Sequence, residues 1–250
     1  MKSIVFVLLL AGVLSKDLSP SSSSRPRINS SNSKSSAGDQ YLDCYEYTNN
    51  GGDRLRAIDY IDNLAGYNFN NRISSCCFTG IWLLYADTNY NAGNTGAANW
   101  WQFGDNYCTD VPSGFENQAS SLRYTGAPDA WTADTLNLYL NEFFIGGEEY
   151  TYADIPQMNY NDQAESIIVT GCSAWTLYSD SNYNGNCKCV WPSDTNNCYP
   201  GFYSTSNSLG YLSRTVSSAR RGCFCGSSAM PDNHPTKSAK VATSGFHKGN

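Results

Sequence analysis

The chain has 250 residues, a net charge of −6, 14% aromatic and 15% charged residues, and ten cysteines. That length allows one or two domains, and after the N-terminus no apolar run approaches the roughly 20 residues a membrane-spanning helix needs. From Tyr41 to Cys225 there are 19 Asp/Glu against 8 Lys/Arg, an acidic body that repels nucleic acid and anionic membranes and tolerates cations.

Met1 and Lys2 precede the apolar run Ile4 to Val13, and small or polar residues begin at Ser15. A charged start, a short apolar stretch and a small-residue exit predict a secretory signal peptide over residues 1–15, and hence a secreted, extracellular protein. Residues 16–40 are nearly all Ser, Asn, Lys, Arg, Pro and Asp. With so little to bury, this stretch reads as a disordered arm. It carries the glycosylation acceptor pattern Asn29-Ser30-Ser31. Residues 226–250, with Gly, Ser, Pro, Lys and both histidines, read as a similar tail.

Between the arms, short aromatic-rich strands alternate with Gly, Asn and Asp every eight to twelve residues or so, the profile of an antiparallel sandwich or barrel. The cysteines are Cys44, Cys76, Cys77, Cys108, Cys172, Cys187, Cys189, Cys198, Cys223 and Cys225. An even count in an exported chain predicts disulfides, although Cys187-x-Cys189 and Cys223-x-Cys225 also have the spacing of a four-thiolate zinc site. Adjacent Cys76 and Cys77 face opposite sides of a strand, so they are expected to take different partners. The remaining connectivity stays open.

One unit recurs. Trp175-Thr-Leu-Tyr178 is followed by Tyr183 five residues after Tyr178 and Gly185 seven after it; Leu136-Asn-Leu-Tyr139 has Phe144 and Gly146 at the same offsets. Trp82-Leu-Leu-Tyr85 has Tyr90, with glycine one place late at Gly93; Leu42-Asp-Cys-Tyr45 has Gly52, but Asn50 in the aromatic place. The leading tyrosines are 40, 54 and 39 residues apart, which is an internal repeat. Each unit predicts a strand entering a tight hairpin. The glycine permits a close or left-handed approach, and the second aromatic lies across the fold. Ser75, Ser121, Ser166 and Ser218 each precede a short strand, where a hydroxyl can satisfy backbone left open by the hairpin.

These units resemble the Greek-key motif of the βγ-crystallin superfamily. Trp175 to Gly185 fits its aromatic-x4-aromatic-x-Gly hairpin without gaps, and the resemblance covers roughly Tyr41 to Cys225. It implies an all-β chain with two Greek-key sandwich domains, over 41–126 and 131–225, linked through Gly126-Ala-Pro-Asp-Ala130. Departures are Asn50, the late glycine with an insertion around Asn94–Asp105, and a fourth unit with extra cysteines.

The family's calcium motif is two Asn/Asp residues, any two residues, Ser or Thr, then Ser. Asn70-Asn71-Arg72-Ile73-Ser74-Ser75 fits throughout, and Glu116-Asn117-Gln118-Ala119-Ser120-Ser121 fits apart from Glu116. Asn161-Asp162-Gln163-Ala164-Glu165-Ser166 has a carboxylate in the fifth place, and Ser213 to Ser218 lacks both leading ligands. The resemblance implies coordination by the fifth-place side chain and the third-place carbonyl, with help from the Asn/Asp pair and a hairpin carbonyl of the partner unit. In the first domain these are Ser74, Ser120, the carbonyls of Arg72 and Gln118, and hairpin candidates Glu46 and Ala86. Calcium favours such hard oxygen ligands, and a site with few carboxylates is expected to bind at about 10⁻⁵ to 10⁻³ M. Calcium is therefore expected mainly in the first domain, with cross-links supporting the second.

No catalytic site is expected. Both histidines, His234 and His247, lie in the tail, leaving no triad or histidine-ligated metal in the folded body. Glu148–Glu149 and Asp105 are the carboxylates that a glycosidase-like pair would use. The expected role is structural or calcium-binding. The alternatives are a secreted defence or toxin-like effector, and a module that binds or inhibits an extracellular protein or glycan through an exposed loop at Asn94–Trp101.

Overall fold

The computed structural model describes residues 16–17, 25, 39–233 and 244–249. The predicted signal peptide, Asn29 and His234 lie outside the described residues.

The first sandwich is built on one long hairpin, β4 (Ser75–Tyr85) and β5 (Asn99–Asp110). Along its other edge β4 pairs with β2 (Tyr41–Tyr47) from Ser75 to Thr79, and with β6 (Ser121–Thr125) from Ile81 to Tyr85. The change of partner falls at Gly80, whose φ of 105° suits glycine and whose absent Cβ makes room for Gln40. The Gln40 amide fills the gap: Oε1 accepts from Ile81 N at 2.8 Å, and Nε2 donates to the carbonyls of Thr125 and Ala127. Outside β2 lies β3 (Gly51–Ala57), with the two-residue β1 (Lys16–Asp17) parallel on its far edge.

The second sandwich has two separate sheets. One runs β12 (Gly201–Tyr203), β9 (Ser166–Thr170), β7 (Thr135–Tyr139), β8 (Glu148–Thr151). The other runs β13 (Ser218–Arg221), β10 (Trp175–Asp180), β11 (Asn184–Val190), β14 (Ser228–Ala229). Isolated bridges Ile61–Leu122 and Ile155–Ala219 carry each sandwich's third-strand position across to the partner unit's sheet.

All four hairpins close in the same way. The hydroxyls of Ser75, Ser121, Ser166 and Ser218 donate to the carbonyls of Tyr47, Asp87, Asn141 and Asp180 at 2.6–2.7 Å. They accept from the amides of Asn50, Tyr90, Phe144 and Tyr183, each at 3.0 Å. The amide-bearing residue has positive φ every time, from 58° to 63°. In three hairpins the expected aromatic pair forms edge to face: Tyr85–Tyr90, Tyr139–Phe144 and Tyr178–Tyr183. Gly93 is not part of this geometry: its φ is not positive, and the tight turn is made by Asn89, Tyr90 and Asn91.

Strand periodicity sorts the side chains into three cores. In β4, Trp82 and Leu84 face the interior of the first sandwich with Leu42, Trp100 and Leu122. The second interior holds Leu136, Leu138, Ile167, Trp175 and Leu177. The alternate residues of β4, Ile81, Leu83 and Tyr85, join Trp101 and Phe103 against Tyr139, Phe144, Ile168 and Phe202. The two sandwiches therefore share an apolar interface.

Five disulfides join all ten cysteines. Cys76 pairs with Cys44 across β2, while Cys77 pairs with Cys108 across β5, as their opposite faces require. Cys187–Cys225 and Cys189–Cys223 staple one face of β11 to the segment after β13, and Cys172 pairs with Cys198.

Three expectations need correction. Trp100 and Trp101 do not sit on an exposed loop: both lie on β5 and both are buried, one per face. The insertion is thus confined to the residues before Asn99. The segments read as disordered arms hold ordered residues: Arg25 is buried, Ser228–Ala229 extends a sheet, and β15 (Gly245–His247) pairs with β5. His247, placed in a free tail by sequence, stacks on Phe143 with ring centroids 3.9 Å apart.

Candidate functional site

The residues of the calcium motif come together in crossed pairs. Ser74 Oγ donates to Asn117 Oδ1 at 3.0 Å, and Ser120 Oγ to Asn71 Oδ1 at 3.3 Å. The fifth-place serine of each unit thus faces the second-place asparagine of the other. Backbone bonds hold the exchange: Asn71 N donates to Ala119 O and Asn117 N to Ile73 O, both at 2.9 Å, with φ of 56° and 57°. Asparagine tolerates that left-handed conformation better than most side chains. Ser74 N and Ser120 N donate to the carbonyls of Tyr45 and Tyr85, which sets the next residues, Glu46 and Ala86, beside the two pockets. The serines are buried and the asparagines exposed, so each pocket has a fixed floor and an open rim.

The side chain of Arg72 is engaged elsewhere, with Glu46 Oε1 at 3.0 Å and Asp53 Oδ2 at 2.8 Å, leaving its carbonyl as its candidate ligand. Asn70 and Glu116 flank the pockets without a described bond across them, and Gln118 Nε2 donates to Gly114 O.

The second sandwich repeats the crossing with different chemistry. Ser217 Oγ lies 3.0 Å from Asp162 Oδ1 and 2.8 Å from the hairpin carbonyl of Ser179, two acceptors that share its one proton. In the companion pocket the Glu165 carboxylate is ion-paired with the guanidinium of Arg214, which stands in the second place of its unit with φ of 56°. Glu165 also accepts from Glu142 N. Asn161 Nδ2 bonds Asp162, and Gln163 N donates to Tyr160 O. Ser213–Ser218, read unit by unit as lacking both leading ligands, therefore supplies Ser217 to a pocket whose carboxylate comes from the preceding unit. Ser217 and Arg214 are not legible in the sequence, where each motif reads as one site and the crossing between units is not visible.

These donor sets suit a hard cation. Two oxygens each about 2.4 Å from a calcium ion and adjacent in its shell lie about 3 Å apart, close to the observed serine–amide and serine–carboxylate separations. Among the described residues, no three His, Cys, Asp or Glu side chains cluster to hold a metal, so any cation here would need hydroxyl, amide and carbonyl oxygens. The carboxylates nominated for glycosidase-like chemistry are bound by the chain itself. Glu149 accepts from Asn159 N, Asn159 Nδ2 and Tyr160 N; Glu148 is buried against Arg25 at 2.5 Å; Asp105 accepts from Thr79 Oγ1.

Among solved structures, geodin, a βγ-crystallin from Geodia cydonium, superposes with a TM-score of 0.56 over 73% of this chain and 99% of its own, at 19% identity. The chain has the βγ-crystallin fold. A βγ-crystallin from an archaeon matches at 28% identity (TM-score 0.31; 36% of this chain, 98% of that one). One from Ciona intestinalis matches at 21% (TM-score 0.30; 35% and 98%). No family model and no curated protein matches the chain. In both sandwiches the paired units cross, so each loop gives its second-place side chain (Asn71, Asn117, Asp162 or Arg214) to one pocket and its fifth-place side chain to the other.

Proposed function

We propose that this is a secreted, disulfide-stabilised, non-enzymatic structural protein that binds calcium in the crossed pockets of its βγ-crystallin sandwiches. The observation that carries the reading is the pair of serine–asparagine contacts across the first sandwich, at 3.0 and 3.3 Å. Asn117, Ser74 and the carbonyls of Gln118 and Glu46 would hold one ion; Asn71, Ser120 and the carbonyls of Arg72 and Ala86 would hold the other. In the second sandwich the Ser217–Asp162 pocket is the favoured one, because it has a carboxylate and a hairpin carbonyl beside the hydroxyl. The guanidinium of Arg214 takes the cation's place against Glu165 in the companion pocket. On this reading calcium supports both sandwiches. Five disulfides fit an oxidising compartment.

The test is calcium titration by calorimetry, with Tm compared in calcium and in chelator. Saturating calcium at about 100 times Kd should stabilise the protein by about 2.7 kcal/mol per site. Ser74→Ala, Ser120→Ala and Ser217→Ala should each weaken one site, and Arg214→Asn should add a fourth. No heat and an unchanged Tm would remove the proposal.

A further inference from the structure

Arg25 is the only described residue between Asp17 and Asp39, and its side chain is fully buried where the two sandwiches meet. Every wall contributes. Nε donates to Tyr60 Oη at 2.7 Å, Nη1 to Asn137 Oδ1 at 2.6 Å and to Gly126 O at 3.0 Å, and Nη2 meets Glu148 Oε1 at 2.5 Å. The guanidinium lies over the Tyr150 ring, 4.2 Å from its centroid. Tyr60 comes from the first sandwich, Gly126 from the connection, and Asn137, Glu148 and Tyr150 from the second. We propose that this cleft is a guanidinium-binding site which Arg25 fills in cis, and which accepts an arginine side chain in trans when Arg25 is absent from it.

The acceptors are held in place by groups other than Arg25. Asn137 Nδ2 donates to Thr135 Oγ1 and Ile168 O, which turns its Oδ1 toward the guanidinium. Tyr60 Oη donates to Glu148 Oε2 at 2.7 Å, so its lone pairs face Arg25. A receptor preorganised in this way binds without a large ordering cost. Charge favours exchange as well. Arg123, also buried, lies close enough to interact with Glu148 electrostatically while its own donors are taken by Tyr85 Oη, Gly146 O and Phe144 O. Without Arg25 the cleft keeps one cation and one anion, so an empty site does not strand a lone buried carboxylate. A cavity of about 310 Å³, lined by Tyr60, Tyr90, Arg123, Gly147, Glu148 and Tyr150, adjoins the site and gives an incoming residue room for its backbone. Separate acceptors for Nε, Nη1 and Nη2 and an aromatic platform suit the planar guanidinium of arginine and not the compact ammonium of lysine.

The experiment uses the full chain carrying Arg25→Ala, titrated with N-acetyl-arginine amide and followed by calorimetry and melting. The variant should melt about 3–10 °C below wild type, for the lost hydrogen bonds of the guanidinium with Arg123 still compensating the Glu148 charge. The arginine amide should restore part of that loss at millimolar concentration. N-acetyl-lysine amide should not, wild type should bind neither, and Arg25→Ala with Glu148→Gln should lose the response. A variant that melts like wild type, or one that folds but ignores arginine amide, overturns the proposal. Should Arg25→Ala fail to fold, the Arg25 Nε proton in wild type gives the second readout. It should exchange slowly in the NMR spectrum, and fast exchange would equally overturn the assignment.

Discussion

A single hydroxyl closes each hairpin, and its two bonds show why serine recurs at 75, 121, 166 and 218. The Ser166 side chain is fully buried, donates to Asn141 O and accepts from Phe144 N. Alanine there leaves a half-buried carbonyl and a buried amide without this partner, which costs about 1–3 kcal/mol. Ser166→Ala should therefore lower the urea midpoint with little change in slope, since the fold and its buried area persist. The hairpin glycines act at the same scale. Gly185 has φ of 78°, and a Cβ on it would collide with Ser179 and the Asp180 carboxylate. Such residues were legible because hairpin chemistry is contained within one short segment. The partner of the calcium-motif serine was not: Ser74 meets Asn117, 43 positions away, and Asp162 meets Ser217, 55 away.

Element by element, the edges hold what sequence missed. The tail strand β15 pairs Gly245 with Trp101, Phe246 with Trp100 and His247 with Asn99, and Phe246 packs on Phe115. A three-residue strand cannot be read from so short a polar tail, because its stability comes from the strand it joins. Burial against this surface lowers the His247 pKa below its usual 6.5, outweighing the upward pull of Glu142. A lowered pKa means that the undocked strand takes up a proton more readily than the docked one. The docking contribution from His247 is thus complete above about pH 6.5 and is lost as pH falls through the lowered value. Amide exchange of residues 245–247 should quicken between pH 7.5 and 5, relative to the central strand β4. His247→Phe, which keeps the stacking on Phe143, should remove that pH dependence.

Across the whole molecule the sandwiches are joined by an apolar face and a buried ionic cluster. Burial pushes the Glu148 carboxyl up, but the charges of Arg25 and Arg123 and the hydrogen bonds from Arg25 and Tyr139 outweigh it and hold Glu148 below the usual carboxylate range. A depressed carboxyl contributes stability that is present above its unfolded pKa of about 4.5 and lost as pH falls through the folded value. Melting temperature should consequently fall between pH 5 and 3 more steeply in wild type than in Glu148→Gln. That variant should start lower at pH 7, since it leaves Arg25 without its buried counter-charge.

Ile81-Trp-Leu-Leu-Tyr85 illustrates how far the chain speaks for itself. The run announces a buried strand, but not that Trp82 and Leu84 serve one sandwich while Ile81, Leu83 and Tyr85 serve its boundary with the other. By itself the sequence determined the repeated hairpin, the aromatic and serine that close it, the βγ-crystallin resemblance, and the separate partners of Cys76 and Cys77. Those features follow from strand alternation and turn chemistry over a few residues. Only the tertiary structure decided that motif residues exchange between pockets, that Arg214 occupies one of them, and that Arg25 returns to lie between the sandwiches. Pairing of distant units sets those contacts, and burial gives them their charge energetics; neither is encoded in any local pattern.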